Sequence, residues 1–563
     1  LETLVTGTKT RFVLLFAFAL TASGCASWQG IKLILAGDNV EVQEVAEGAK
    51  TNANAPDILF LAMDGVDRDL LYDMLRDGEL PELATLLGGA DFKHAYFEDG
   101  LHSTLPSSTG VAWATMMTGV EPAEHGVTGN EYFIRETGQF AAPVPVTVNK
   151  IEPVLSIYTE GYANSLLMAP TVYEQMRERE PGIRIAVAMH QYYAGADELI
   201  LTDRSALIEA FQTFVSDEIV GRLSNDQSLT IFSEIDSEVF ENVTETIDVG
   251  STPDVLTIYI PGIDHFAHVS DLGSDESRRL YLKKAVEPLL RDLREELIED
   301  GQLEGRYVVL SSDHGHTQVP HDDKHSLSVG ADTEPTALLE SAGYTLRPFK
   351  VDVEEGTYFD TVLAYQGALA YVYVADQSTC PITGLLCDWS QPARTEDIHK
   401  IAQVFLDNNR DGDRVPLMQG ALDMILVRTG QSKNASGPVF EVYLGNGRSQ
   451  PLEDYLVAHP HPDYLEMPQR LNALTVGPYG DRAGDVILVA HNGDRKDTDG
   501  RYYFASLYHS WHGSPGKKDT EVPLIVAHPG KTTAELQRSV NAAFADGHSL
   551  TAVTRLLLDL RTP

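Results

Sequence analysis

Three apolar runs in this chain each end on a carboxylate. "DILFLAMDG" ends at Asp64, and "YVVLSSDHGH" at Asp313 and His314. "DVLTIYIPGIDHFAH" ends at Asp264, with His268 four residues on. His512, in "SWHGSPG", stands just ahead of a further apolar run, "EVPLIVA". Singly, each has an ordinary explanation: a strand-terminal Asp caps a turn or a helix, and Asp and His four residues apart pair on a helix surface. Together they form a mixed set whose carboxylates would repel one another unless cations neutralised them. Imidazole and carboxylate donors without thiolates suit zinc, with manganese or iron as alternatives. Formal charge favours two ions: three carboxylates bring about −3 and two divalent cations about +4, leaving roughly +1 to hold an anionic ester. Paired metals about 4 Å apart also clamp the attacking and leaving oxygens of an in-line displacement.

A nucleophile must sit beside such a pair. "LPSSTGVAWATMMTG" (105–119) offers Ser107, Ser108, Thr109 and Thr115. The apolar run after them reads as a helix, so Thr109 falls at its N-terminus, where unpaired N–H groups and the helix dipole favour an anion. A neighbouring metal would lower the hydroxyl pKa further. Ser107 and Ser108 are the better capping residues.

The elements that must position these groups follow from periodicity. Residues 57–63, 183–189, 254–260 and 306–312 are continuous apolar runs, which suit strands buried on both faces of a parallel sheet. Helical patterns over 171–179, 204–223 and 276–299 alternate with them, giving an α/β, doubly wound sheet. In such sheets the functional crevice lies beyond the carboxyl ends of the strands, where the Asp and His residues fall. After residue 320 the rhythm changes. Apolar runs at 369–375, 422–428 and 484–490 are separated by long loops, so 321–500 reads as an inserted or peripheral lobe. The run at 521–527 returns to the main sheet and a helical C-terminus follows over 532–559. The catalytic domain is then 56–320 with 501–563.

Composition bounds the setting. The chain has 563 residues and a net charge of −41, from 83 acidic and 42 basic residues, a field that repels nucleic acid and anionic membranes. Residues 1–25 read as a signal segment: Lys9 and Arg11 precede an apolar stretch ending "ASGC", with Cys25 as the lipidated residue held in the cell membrane or, in a cell that has an outer membrane, sent there by Ala26. Residues 26–55 read as a flexible tether. The protein is therefore expected outside the cytoplasm, membrane-held only through the lipid. The other two cysteines, Cys380 and Cys387, are expected to close a small disulfide loop. "DNNRDGD" (407–413) reads as an Asx/Gly-rich turn; the alternative is the first half of a calcium loop, although Met418 stands where such a loop needs Glu.

The ordered motifs resemble the alkaline phosphatase superfamily, most closely its type I phosphodiesterase/nucleotide pyrophosphatase family. They are "MDG" (63–65), "PSST…TGVEPAEHGVTGN" (106–130), "DHFAH" (264–268), "SDHGH" (312–316) and "HGSP…DTEVPLIVA" (512–527). The resemblance implies a mostly parallel central sheet flanked by helices, with an inserted α+β lobe. It makes Thr109 the nucleophile and a metal ligand. Asp64, Asp313 and His314 would hold the metal that activates it, and Asp264, His268 and His512 the second metal. Asn130 would donate to a phosphoryl oxygen. His125 is read as structural, and His316 as part of a solvated loop.

The implied reaction is hydrolysis of phosphodiester or pyrophosphate bonds in a small phosphate ester or nucleotide-like substrate, through a phospho-threonine. Sulfatase relatives need a C/S-x-P-x-R frame that none of the three cysteines fits. Some threonine-using monoesterases carry a Lys-x-Arg pair, but the comparable stretch "AMHQYYAGADE" (188–198) has no basic residue, which tilts the reading toward diesters. The rival readings are a phosphomonoesterase or phosphonate hydrolase on the same scaffold, and a catalytically inactive envelope binding protein.

Overall fold

The computed structural model describes residues 39–41, 55–147, 161–202, 223–248, 252–299, 301–327, 334–380 and 386–562. The signal segment, Cys25 and most of the helix expected at 204–223 lie outside the described residues.

The central sheet has eight strands: β1 (Asn39–Glu41), β2 (Asp57–Met63), β3 (Ala95–Glu98), β4 (Ile185–Ala188), β5 (Glu198–Ile200), β6 (Val255–Ile260), β7 (Arg306–Ser312) and, late in the chain, β14 (Leu524–Ala527). Their spatial order is β1-β5-β4-β6-β2-β7-β14-β3. The five strands from β5 to β7 are mutually parallel, while β1, β14 and β3 each pair antiparallel with their neighbours. Central residues such as Leu59, Leu61, Ile258, Val309 and Leu310 are wholly buried. Each apolar side chain of this size contributes about 1.5–3 kcal/mol when buried. Within the stretch read as a tether, Asn39–Glu41 pair with Glu198–Ile200 at the sheet edge.

Helices cover both faces of the sheet, as continuous apolar strands require. They include α1 (Arg68–Arg76), α2 (Thr109–Thr118), α3 (Val172–Arg179), α4 (Asn225–Asp248), α5 (Gly262–Val269), α6 (Glu287–Glu299), and the C-terminal α8 (Thr533–Ala543) and α9 (Thr551–Leu560). The sequence reading missed α4. Its buried Phe232, Ile235, Val239, Phe240, Val243 and Ile247 recur at helical spacing. The helix expected at 276–299 is two α-helical segments joined by a π-helical turn, Leu282–Val286.

Residues 361–490 build a second, wholly antiparallel sheet of six strands. These are β8 (Thr361–Tyr365), β9 (Leu369–Val374), β10 (Leu422–Arg428), β11 (Phe440–Gly445), β12 (Arg448–Pro451) and β13 (Val486–Ala490), in the order β8-β9-β13-β10-β11-β12. α7 (Thr395–Asp411) packs on it. Neither the turn nor the calcium-loop alternative describes 407–411. Residues 407–411 are the last turns of α7, ended by Gly412 in the left-handed conformation. Asn408 and Asn409 spend their side chains pinning Val415 and Leu422, so a helix C-terminus occupies the place of the cation loop. Among the described residues, no helix is long and apolar enough to cross a membrane.

Candidate metal centre

Strand register brings the carboxylates together. Met63, the last residue of β2, pairs with Ile260 of β6 on one side and Ser312 of β7 on the other. Three neighbouring strands therefore end level, and Asp64, Asp264 and Asp313 emerge on one edge. Asp264 lies in the first turn of α5 and His268 in its last, which places them on one helix face. His512 arrives from elsewhere: Ser510–Trp511 pair antiparallel with Thr317–Gln318, which draws the 512 segment against the loop after β7.

Two clusters result, all buried: Asp64, Asp313 and His314 in one, Asp264, His268, His316 and His512 in the other. In the first, the His314 Nε2 lies 3.0 Å from Thr109 Oγ1, 3.5 Å from Asp64 Oδ1 and 3.3 Å from Asp313 Oδ2. In the second, Asp264 Oδ1 is 2.5 Å from His316 Nε2 and 3.7 Å from His512 Nε2, while Oδ2 is 3.2 Å from His268 Nε2. The rings of His314 and His512 stack at 3.6 Å between centroids, joining the clusters. His316 is a correction. Expected in a solvated loop, it is wholly buried because the short pairing of 317–318 with 510–511 folds that loop inward.

The hydrogen bonds of the rings decide what these groups are for. Each imidazole has its Nδ1 engaged on the far side: His268 with the Ser510 carbonyl (2.8 Å), His512 with the Ser107 carbonyl (3.1 Å), and His314 with the Gly315 carbonyl (3.1 Å). A carbonyl only accepts, so those Nδ1 atoms carry the proton. His316 Nδ1 meets Ser510 Oγ at 3.1 Å, and that hydroxyl donates to the Ala267 carbonyl, so Nδ1 is again the donor. Every Nε2 is turned toward carboxylate oxygens. Burial pushes the His314 ring down to about 3 and those of His316 and His512 well below the usual range. Burial, with the Asp264 charge, pushes the Asp313 carboxyl up to about 8. Burial and the Asp313 and Asp264 charges raise Asp64 well above its ordinary value. Asp64 Oδ1 and Asp313 Oδ2 are buried and accept no hydrogen bond. Lone pairs facing lone pairs in a water-poor site are the donor arrangement of a divalent cation, and the residues present fit one ion in each cluster.

The surroundings hold these donors in place. Gly65 and His314 N–H groups donate to Asp313 Oδ1 at 3.2 and 2.9 Å. Tyr259, on β6, donates its hydroxyl to Asp64 Oδ2. Arg278 is fully buried, donates to the Gly65 carbonyl at 3.0 Å, and pairs with Asp67 and Asp275, each at 2.8 Å. Gly65 has φ +72°, and a Cβ there would press on Asp264 Oδ1 and His316 Nε2 at 2.9 Å, so only glycine fits the turn. Tyr259 and Arg278 were invisible to motif reading, because each acts through a neighbour.

Thr109 is the first residue of α2, a helix buried on all sides. Ser108 occupies the N-cap position, but its hydroxyl donates to the Gln366 carbonyl. Ser107 bonds the Thr104 and Ser514 carbonyls and receives Arg470. The capping role expected for both serines is therefore not taken up, and the start of α2 is tied to its surroundings instead. Asn130 Oδ1 accepts from the Gly110 N–H at 2.8 Å, which leaves the Nδ2 group as its donor. The Asn130 N–H in turn donates to Gln366 Oε1 at 2.7 Å, and Gln366 Nε2 donates to the Glu131 carbonyl. Gln366, on the β8–β9 turn, was not anticipated. Next to it Gly367 (φ +80°) packs so tightly on Trp511 and the His512 carbonyl that any side chain would overlap them. His125 is structural, as expected: it bridges Thr115 Oγ1 (2.9 Å) and the Val127 N–H (3.2 Å) inside the core. Cys380 and Cys387 are joined in a disulfide.

Residues 58–504 match the family model of type I phosphodiesterase/nucleotide pyrophosphatase. The chain belongs to that family. Its members are metal-dependent phosphoric ester hydrolases, and this chain is an enzyme of that class. No curated protein sequence matches it. Among solved structures, it is similar to murine ectonucleotide pyrophosphatase/phosphodiesterase 5, at 13% identity and a TM-score of 0.49, covering 90% of this chain and 95% of that one. It is also similar to phosphonoacetate hydrolase from Sinorhizobium meliloti, at 14% identity and a TM-score of 0.45, covering 91% and 99%.

Proposed function

We propose that the chain hydrolyses phosphodiester or pyrophosphate bonds through a covalent phospho-threonine on Thr109, with zinc in both clusters. The observation that carries this reading is Thr109 itself. Its Oγ1 lies 3.0 Å from the His314 Nε2 lone pair, at the first turn of a buried helix, beside the Asn130 that grips the next N–H group.

Asp64, Asp313 and His314 would hold one ion with Thr109, and Asp264, His268, His512 and His316 the other. The ions supply Lewis acidity and lower the barrier to ionising a hydroxyl. The chain's own groups do the rest. Thr109 Oγ gives up its proton and attacks phosphorus, and the bond to the leaving oxygen breaks as that oxygen takes a proton. Water then attacks the phospho-threonine, the Oγ–P bond breaks, and Thr109 recovers its hydroxyl. Asn130 Nδ2 and the free N–H groups at the start of α2 face the oxygens on which charge grows. The absence of a basic residue in 188–198 favours a diester over a dianionic monoester.

Acid quench of the enzyme turning over bis-p-nitrophenyl phosphate, followed by peptide mass spectrometry, should find a p-nitrophenylphosphoryl group on Thr109, one nitrophenol having left. Turnover without any such adduct, or a monoester hydrolysed faster by orders of magnitude, would overturn the reading. Zinc is supported by a His/Asp donor set free of thiolates. An extracytoplasmic, lipid-anchored location is supported by the N-terminal pattern ending at Cys25 and by the Cys380–Cys387 disulfide, which persists in oxidising compartments. Loss of a lipid mass increment in Cys25→Ala would test the anchor.

A further inference from the structure

A second meeting of carboxylates and imidazoles lies in the lobe, away from the strand ends described above. Asp423 comes from β10, His461 from the loop after Ala458, and His491 and Asp494 from the turn after β13. Asp423, His491 and Asp494 each offer a ligand atom within 4.8 Å of the others. His491 Nδ1 is 2.7 Å from Asp494 Oδ2 and 3.7 Å from Asp423 Oδ1, and His461 Nε2 is 3.0 Å from the same Asp423 oxygen. We propose that these four side chains bind a third divalent cation, of the zinc or manganese class, distinct from the catalytic pair.

Three observations support the site. The first is backbone: Leu422 pairs with Ala490 and Met424 with Val489, so Asp423 is the extra residue of a β-bulge opposite the start of the 491–494 turn. A bulge re-aims one side chain at the expense of ladder pairing and recurs beside functional sites. The second is the His461 ring. Its Nδ1 meets the His459 carbonyl at 2.7 Å and carries a proton, so Nε2 is the nitrogen aimed at the Asp423 oxygen, open to a cation that displaces the proton on that side. Tyr464 donates to the other Asp423 oxygen at 2.8 Å, which leaves Oδ1 for a cation. The third is charge. Two aspartates lie within one ligand sphere of each other, and half-exposed Arg495 stands beside them, 3.1 Å from Asp494 Oδ2 and 2.8 Å from His491 Nε2, the position a bound ion would contest.

Such an ion would fasten three chain segments at the join between the two sheets. A Cβ at Gly493, inside the turn, would lie 2.8 Å from Ser514 Oγ and 2.9 Å from the Gly516 Cα, so the turn braces the segment that carries His512. The proposed site is therefore structural, and it does not depend on the hydrolytic reading.

Metal analysis of the full chain after dialysis against zinc and then buffer tests it. The double variant D423N/H491A should carry roughly one ion fewer per chain than the parent, and D494N should weaken retention of the same ion. Both should keep the ions lost in D264N/H512A. A crystal of the unaltered chain should show a zinc anomalous peak among the four side chains. Equal metal counts in parent and D423N/H491A, with no anomalous peak there, would overturn the proposal and leave a proton on His461 and the Arg495 pair as the neutralising charges. If the double variant fails to fold, the anomalous peak and D494N decide alone.

Discussion

The two sheets deliver chemistry in opposite ways. The parallel sheet presents Asp64, Asp264 and Asp313 from three adjacent strand ends held level by register, and the donors they form with His314, His316 and His512 are buried. The antiparallel sheet presents no such edge. It acts through turns and a bulge: Gln366 and Gly367 on the β8–β9 turn, and Asp423 on β10. The contrast assigns different work to each. The first sheet sets which groups can ligate. The second orients what those groups need, because its β8–β9 turn holds Asn130 and packs on the segment bearing His512.

Substitutions can break this division, beginning with the largest effect. Thr109→Ala should lower kcat by at least about a thousandfold, the scale expected when a nucleophile is removed, with folding intact by circular dichroism. His512→Ala should lower both metal content and kcat by roughly a hundredfold or more, measured together on the same preparation. Gln366→Ala should lower kcat by about ten- to a hundredfold with metal content unchanged, because only the Asn130 donor is misplaced. If Gln366→Ala lost metal as well, the proposed division between the sheets would fail. Arg278→Met should cost about 1–3 kcal/mol of stability, since it strips the Gly65 carbonyl of a buried donor and leaves Asp67 with Lys518, at 3.1 Å, as its remaining ion-pair partner, read as a lower Tm. Tyr259→Phe should have the smallest effect, a few-fold in kcat, because it frees one Asp64 oxygen that then bonds elsewhere.

Much of the first sheet was legible in the sequence. Continuous apolar runs marked β2, β6 and β7 within one residue of their ends, and the Asp and His residues just beyond them were the ones the fold gathers. That works because a buried parallel strand has a strong local pattern and its end is where the backbone escapes the ladder. His316 was misjudged because its burial depends on a two-residue pairing with 510–511, nearly two hundred positions away. Gln366 and Tyr259 were missed because nothing about a lone amide or phenol reports its partner. The calcium alternative failed for a different reason: its Asp and Asn residues fit a helix end as well as a cation loop, and α7 runs through them to Asp411. The serines at 107 and 108 had a capping composition, but long-range partners claimed their hydroxyls.

The level ending of β2 between its two neighbours also limits how this enzyme can change. Adding or deleting one residue within β2 would move Asp64 by roughly 3.3 Å along the strand and turn it to the opposite face of the sheet. Length variation should therefore accumulate in the connections, while the spans from Asp57 to Asp64, Val255 to Asp264 and Arg306 to His314 keep a fixed count, like three rulers cut to one mark.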